Sequence, residues 1–145
     1  MRKMVVVLGL TILSALGFSG SVHAQATDEI SAAITEYAAM YSVPEMLVHK
    51  IVKRESKYNP SAYHRGNWGL MQIKYATART MGYRGPAKGL LDAHTNLQYG
   101  VKYLAGAYLV AEGNEKKTLR YYVSGYYYVA KRKGLLEETG LKAKR

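Results

Sequence analysis

Apolar residues recur at helical spacing along most of this 145-residue chain, and no segment alternates strictly between apolar and polar residues. Apolar side chains three or four residues apart share one face of an α-helix, whereas a half-buried strand needs a period of two. Helical spacing is found over residues 28–41, 44–56, 74–81, 95–113, 115–122 and 126–133. The pattern predicts an all-α domain of five to seven helices, with at most a minor irregular or β element near residues 69–73.

The first 26 residues have the composition of a secretory signal peptide. Two basic residues precede an apolar run over about residues 4–18, and small residues follow up to Ala26. The run is shorter than the ~20 residues that span a bilayer, which favours cleavage after Ala24 or Ala26 over a retained anchor. We therefore predict three segments: a signal peptide at 1–26, one folded domain at 27–134 and a charged C-terminal tail at 135–145.

The charge and the lack of cysteine limit which cellular compartments and which partners fit this chain. The formal net charge is +11, and it falls to +9 when the two basic residues of the leader are removed. An exported basic protein meets anionic polymers, and the leader argues against nucleic acid as the partner. No stable membrane insertion is expected after cleavage. A chain without cysteine has no disulfides and no thiolate metal site, which fits a bacterial periplasm or cell envelope.

One acidic residue interrupts the apolar face of the second predicted helix. Ile51 and Val52 lie within about a quarter-turn of Glu55, whereas Arg54 points elsewhere. Burial disfavours the charged form of a carboxyl, and a protonated carboxyl can serve as a general acid. An ion pair with an arginine or lysine inside the core explains the same position equally well.

The other acidic residues offer no convincing partner for Glu55. Ordinary glycosidases need two carboxylates, about 5 to 5.5 Å apart for retention and farther apart for inversion. Asp92 precedes a predicted helix and is better explained as its cap, and the remaining acids lie at chain ends, in first helical turns or beside turns. A lone acid can still protonate a leaving oxygen where the substrate itself quenches the resulting cation.

Other kinds of chemistry find little support in the sequence. His49, His64 and His94 lack metal-ligand spacing, and neither a P-loop nor a dinucleotide-binding glycine pattern is present. A metal site and nucleotide chemistry are therefore not expected. Tyrosine is abundant, with 14 in the chain and five between residues 121 and 128. Such side chains either pack in the core or offer flat faces to sugar rings.

Four short motifs follow one another between residues 54 and 104. They read R-E-S-K-Y-N-P from Arg54, G-L-M-Q-I from Gly69, A-T-A-R from Ala76 and N-L-x-x-G-x-x-Y-L from Asn96. In order and spacing this series resembles the catalytic domain of the soluble lytic transglycosylases, over about residues 41–134. The resemblance implies a single domain of lysozyme-like fold.

The same resemblance implies an enzyme, a carbon–oxygen lyase acting on polysaccharides. In that family the glutamate of the E-S pair is the sole catalytic acid and base, which assigns this role to Glu55. The next serine supports the site and the G-L-M-Q stretch lines the saccharide groove, so Ser56, Met71 and Gln72 become substrate-binding candidates. The family cleaves peptidoglycan between N-acetylmuramic acid and N-acetylglucosamine, closes a 1,6-anhydro ring and needs no metal or cofactor.

The chain departs from the family pattern near its C-terminus. The family commonly has A-Y-N-A-G where residues 121–125 read Y-Y-V-S-G. Tyr122 then takes the tyrosine position and joins the substrate-binding candidates, whereas Val123 replaces an asparagine.

Several functional alternatives remain open from the sequence. A muramidase or chitinase-like hydrolase of the same fold is one, and a non-catalytic peptidoglycan-binding module is another. Small enzymes of this kind serve general wall turnover or open a gap for a secretion system, and the sequence does not choose between these roles.

Overall fold

The computed structural model describes residues 19–143, with side chains described from residue 27 onward. Within these residues the chain forms a 3₁₀ helix at Ala87–Leu91 and six α-helices: α1 (Ser19–Met40), α2 (Glu45–Ser56), α3 (Tyr75–Thr80), α4 (Ala93–Val110), α5 (Glu115–Ser124) and α6 (Tyr127–Lys133). The mostly helical fold is confirmed, and each of the six predicted helices is present. The 3₁₀ helix lies outside the six predicted helical segments.

Most of the predicted signal peptide lies outside the described residues. Helix α1 begins at Ser19, before the predicted cleavage sites, so its first turns belong to the predicted leader. None of the helices within residues 19–143 has the length and hydropathy that crossing a bilayer requires.

Local hydrogen bonds explain where α4 and α5 begin and end. The Asp92 carboxylate accepts a hydrogen bond from the backbone N–H of Thr95 at 2.8 Å, which confirms Asp92 as the cap of α4. This bond also lowers the pKa of Asp92 below its ordinary value. Asn114 caps α5 in the same way, through the N–H of Lys117 at 2.9 Å. Helix α5 ends at Gly125, whose φ of +81° is one that side chains rarely adopt.

A small antiparallel sheet lies between α2 and α3, in agreement with the minor irregular or β element allowed near residues 69–73, although it begins earlier, at Tyr63. Its strands are β1 (Tyr63–His64), β2 (Asn67–Trp68) and β3 (Ile73–Lys74), in the order β1-β2-β3. Tyr63 pairs with Trp68, which pairs with Ile73, while the alternate residues form a second row. Two residues per strand are too few to show a period of two in the sequence.

Helix α4 is the central element of the fold. It contacts the 3₁₀ helix and every other α-helix except α2 closely, and its Leu97, Val101 and Leu104 are fully buried. Helices α1 and α2 add buried residues to the same core, among them Ile34, Ile51 and Val52. Because Ile51 and Val52 hold the middle of α2 in this core, the last turn of α2 is placed at its edge.

The segment after α6 also packs on the domain. Leu135, Leu136 and Leu141 contact a second apolar cluster that contains Tyr126. Thr139 is buried and its hydroxyl donates a hydrogen bond to the carbonyl of Leu135 at 2.7 Å. The boundary at residue 134 stays a prediction, but the segment predicted as a charged tail lies against the domain up to Leu141.

Candidate active site

An open cleft of about 620 Å³ lies between the small sheet and the end of α5. Glu55, in the last turn of α2, lines it from a third side. The cleft therefore collects side chains from segments that are far apart in sequence. The residues lining it are Glu55, His64, Asn67, Gln72, Ile73, Lys74, Thr77, Tyr103, Tyr122, Val123, Ser124 and Gly125.

Glu55 is the one carboxylate that lines this cleft among the residues that the structure describes. Its side chain is 24% exposed and forms an ion pair with Arg54, which is 43% exposed. The Nε and Nη2 atoms of Arg54 both donate to Oε1 of Glu55, at 2.9 and 2.6 Å. Within residues 27–143 no hydrogen bond engages Oε2, which leaves that oxygen available to a substrate.

This geometry corrects both interpretations of the sequence. The apolar stripe indicated a deeply buried Glu55, but the carboxylate lies at the core's edge because α2 ends one residue later. The alternative placed an ion pair inside the core, and the pair with Arg54 lies instead at a partly exposed surface. An exposed pair of this kind contributes at most about 1 kcal/mol to stability, so it does not by itself explain the carboxylate's position.

Tyr122 is buried in the floor of the cleft, with 9% of its surface exposed, and serves as an anchor. Its hydroxyl donates a hydrogen bond to the backbone carbonyl of Met71 at 2.7 Å. Burial, followed by the negative charge of Glu55, raises the pKa of Tyr122 far above its ordinary value. The phenol therefore stays protonated and remains a donor to this carbonyl.

Asn96 holds the G-L-M-Q segment against α4. Its side chain is fully buried, accepts a hydrogen bond from the N–H of Met71 at 2.8 Å and donates to the carbonyls of Trp68 and Leu90 at 2.8 and 2.7 Å. Gly69, with a φ of +66°, passes so close that a Cβ there would lie 2.3 Å from Asn96 Nδ2. The sequence marked Asn96 only as the first letter of a motif, whereas the structure shows that it positions the cleft.

Glycine is also required in α4, opposite Met71. A Cβ on Gly100 would lie 2.6 Å from the Met71 sulfur, so only glycine lets the two segments approach this closely. The glycines of two motifs, Gly69 and Gly100, thus allow the same segment to lie against the core.

The predicted substrate-binding residues occupy different layers of the site. Gln72 lines the cleft, has a φ of +48°, and its Nε2 donates to the carbonyls of Ala62 and Gly69 at 3.2 and 2.9 Å. Ser56 and Met71 do not line it. The Ser56 hydroxyl donates to the Val52 carbonyl at 3.1 Å, and Met71 is fully buried. Met71 therefore supports the cleft from the core, and Ser56 bonds within α2, so a direct contact with substrate is not expected from either position.

Sequence reasoning missed several residues that line the cleft. His64, Asn67 and Lys74 come from the small sheet, and Thr77 follows on α3. Strands of two residues gave no signal that could have placed them there. Val123, the departure from the family pattern, also lines the cleft and is 67% exposed.

A larger cavity of about 950 Å³ lies between the end of α1, α4 and residues 137–143. It has three carboxylates, of Glu112, Glu137 and Glu138, and Glu112 pairs with Lys133. Glu55 and Gln72 do not line it, so we place the candidate active site in the smaller cleft. Among the described side chains, no group of three or more histidines and acids is positioned to hold a metal ion.

A mostly helical domain with one glutamate in an open cleft defines the class of this molecule as lysozyme-like. The model of the Transglycosylase SLT domain family matches residues 32–141, and the chain belongs to this family. This is a family of enzymes, the lytic transglycosylases, and its members act on the glycan strands of peptidoglycan. The match reaches Leu141, in agreement with the packing of the C-terminal segment.

Proposed function

We propose that this protein is an exported lytic transglycosylase that cleaves the bond between N-acetylmuramic acid and N-acetylglucosamine and leaves a 1,6-anhydro ring on the muramic product. Glu55 is the catalytic residue of this proposal. The observation that carries it is the single carboxylate of the cleft: among the described residues, Glu55 has no second acid beside it to act as nucleophile or to activate water.

The reaction runs in two proton transfers through the same side chain. Protonated Glu55 donates its proton to the glycosidic oxygen, the bond from that oxygen to C1 of the muramic residue breaks, and an oxocarbenium-like cation forms. The C6 hydroxyl of the same sugar then attacks C1 and gives its proton to the Glu55 carboxylate. The residue regains its starting state, no water is consumed, and the reaction is that of a carbon–oxygen lyase.

The contacts around Glu55 support this role. Arg54 holds one carboxylate oxygen by two hydrogen bonds and leaves Oε2 available for both transfers. Tyr122 and Asn96 fix the segment that ends at Gln72 on one wall of the cleft. The positive charge of the exported chain favours its association with an anionic cell wall, since the formal net charge of +11 falls only to +9 when the leader is removed.

The test replaces Glu55 by glutamine, which keeps the shape of the side chain and removes its acid. We expect Glu55→Gln to slow the clearing of purified cell walls by at least about a hundredfold, because a general acid contributes that much or more. The matched control is Glu45→Gln, at the exposed start of the same helix. Unchanged helical circular dichroism in both variants separates lost chemistry from lost fold, and wall clearing retained by Glu55→Gln would refute the role.

Export to the periplasm or cell envelope is part of the proposal and rests on residues 1–26. Cleavage after Ala24 or Ala26 gives a mature chain that begins at Gln25 or Thr27. N-terminal sequencing of the protein from fractionated cells tests this, and a chain that still begins at Met1 in the membrane fraction would contradict it.

A further inference from the structure

The wall of the cleft opposite the end of α2 has a row of polar side chains from the small sheet. His64 pairs with Asn67, and Asn67 pairs with Lys74. Directly opposed residues of neighbouring strands project from the same face, so the three side chains form one row about 10 Å long. All three line the cleft.

The alternate residues of the same strands face the other way. Tyr63 and Trp68 contact each other, with ring centroids 4.4 Å apart, and Trp68 packs against an apolar cluster that includes the buried Ile73. Trp68 and Ile73 therefore pack toward the domain, whereas Tyr63 is exposed and part of Ile73 also borders the cleft. The polar row faces the cleft, because a shift by one residue would turn the buried Ile73 outward and the polar side chains inward.

Lys74 supplies this row with a positive charge that no acid among the described side chains pairs with. Its side chain is exposed, and within residues 27–143 it forms no ion pair. No other lysine or arginine of the described residues lines the cleft, and the charge of Glu55 is engaged by Arg54. A cation in this position favours a substrate that brings its own carboxylate.

We propose that Lys74 binds a carboxylate of the glycan strand, with Asn67 and His64 in the same row as hydrogen-bond partners. Lys74 is then a specificity-determining residue. The proposal rests on the proposed function, since it takes peptidoglycan as the substrate. Peptidoglycan offers this group from two sources: the lactyl carboxylate of a muramic residue without peptide, and the carboxylates of an attached peptide. In both cases charge-assisted hydrogen bonding favours ionised strands over neutral ones.

The test measures binding without turnover, in the Glu55→Gln background. Binding is measured by isothermal titration calorimetry, which needs no reporter group in the cleft. The ligands are soluble peptide-bearing strands, peptide-free strands, and each of these after chemical amidation of its carboxylates. We expect ionised strands to bind about fivefold more tightly than the matching amidated strands, as for a partly exposed ion pair.

Lys74→Met should bring this ratio close to one, whereas Lys74→Arg should retain most of it. The control is Lys88→Met, which removes the same charge from the exposed 3₁₀ helix outside the cleft and should leave the ratio unchanged. A preference for ionised peptide-free strands identifies the lactyl carboxylate, and a preference found only with peptide-bearing strands identifies the peptide.

Equal binding of ionised and amidated strands, or a ratio that survives Lys74→Met, overturns the proposal. An equal loss of the preference for ionised strands in Lys74→Met and Lys88→Met also overturns it. That result would mean that the strands are attracted by the net charge of the protein over a long range. None of these outcomes depends on catalysis, which wall clearing by the unmodified chain reports separately.

Discussion

Removal of the Tyr122 hydroxyl tests how the cleft is built. In Tyr122→Phe the ring still fills its buried site, but the Met71 carbonyl loses its donor at 2.7 Å. A buried acceptor left unpaired costs about 1–3 kcal/mol. In a domain of this size each kcal/mol corresponds to roughly 3–5 °C, so we expect Tm to fall by about 3–15 °C.

Activity separates an anchor from a substrate contact. The Met71 carbonyl directly precedes Gln72, so a relaxed anchor should weaken wall clearing by less than about tenfold when assayed well below the Tm of the variant. The control is Tyr128→Phe, whose ring is 72% exposed and whose loss of hydroxyl should cost less than about 0.5 kcal/mol. An unchanged Tm together with a large loss of activity would show that Tyr122 acts on the substrate, against the geometry described above.

Three further predictions follow from the packing and the protonation of the site. Gly100→Ala places a Cβ 2.6 Å from the Met71 sulfur, so we expect the free energy of unfolding to fall by about 1–3 kcal/mol. Thermal unfolding measures this change, and an unchanged stability would contradict the close packing. Val123→Asn adds an amide at the cleft and should lower KM for soluble strands about twofold to fivefold, and an unchanged KM would show that no sugar reaches this position. Burial raises the pKa values of Tyr122 and Tyr126 far above the ordinary value of about 10. The unfolded chain therefore releases these protons at lower pH than the folded chain. The free energy of unfolding should fall as pH rises beyond about 10. Ultraviolet absorbance should show at least two fewer tyrosinates in the folded chain than after unfolding. Complete titration of the folded chain would argue against this burial.

The helices could be predicted because their apolar spacing is long and regular. Asp92, for example, was identified as a helix cap from its place before α4, and the bond to Thr95 confirms it. A minor β element near residues 69–73 was allowed, but the bounds and pairing of the strands could not be predicted, since strands of two residues are set by contacts with the 3₁₀ helix and α3 rather than by a local pattern.

The catalytic residue of the candidate site could be predicted from the sequence. Which of the other candidates line the cleft and which support it could not. The helical position of Glu55 and the motifs after it were enough to single out the residue. Its partial exposure depends on where α2 leaves the core, and its pairing with Arg54 uses neighbouring residues that do not share a helix face. The supporting position of Met71 depends on contacts with Asn96 and Tyr122, which are 25 and 51 residues away in sequence.

The masses of the muropeptides released from purified cell walls test most directly whether Glu55 works alone. The reaction proposed here closes a ring with the substrate's own hydroxyl, so its product should have one water less than the product of hydrolysis. That mass should appear with the unmodified chain and with Glu45→Gln, and disappear with Glu55→Gln. Hydrated muropeptides as the main product would show that water is the nucleophile, and the single-carboxylate transglycosylation would be contradicted.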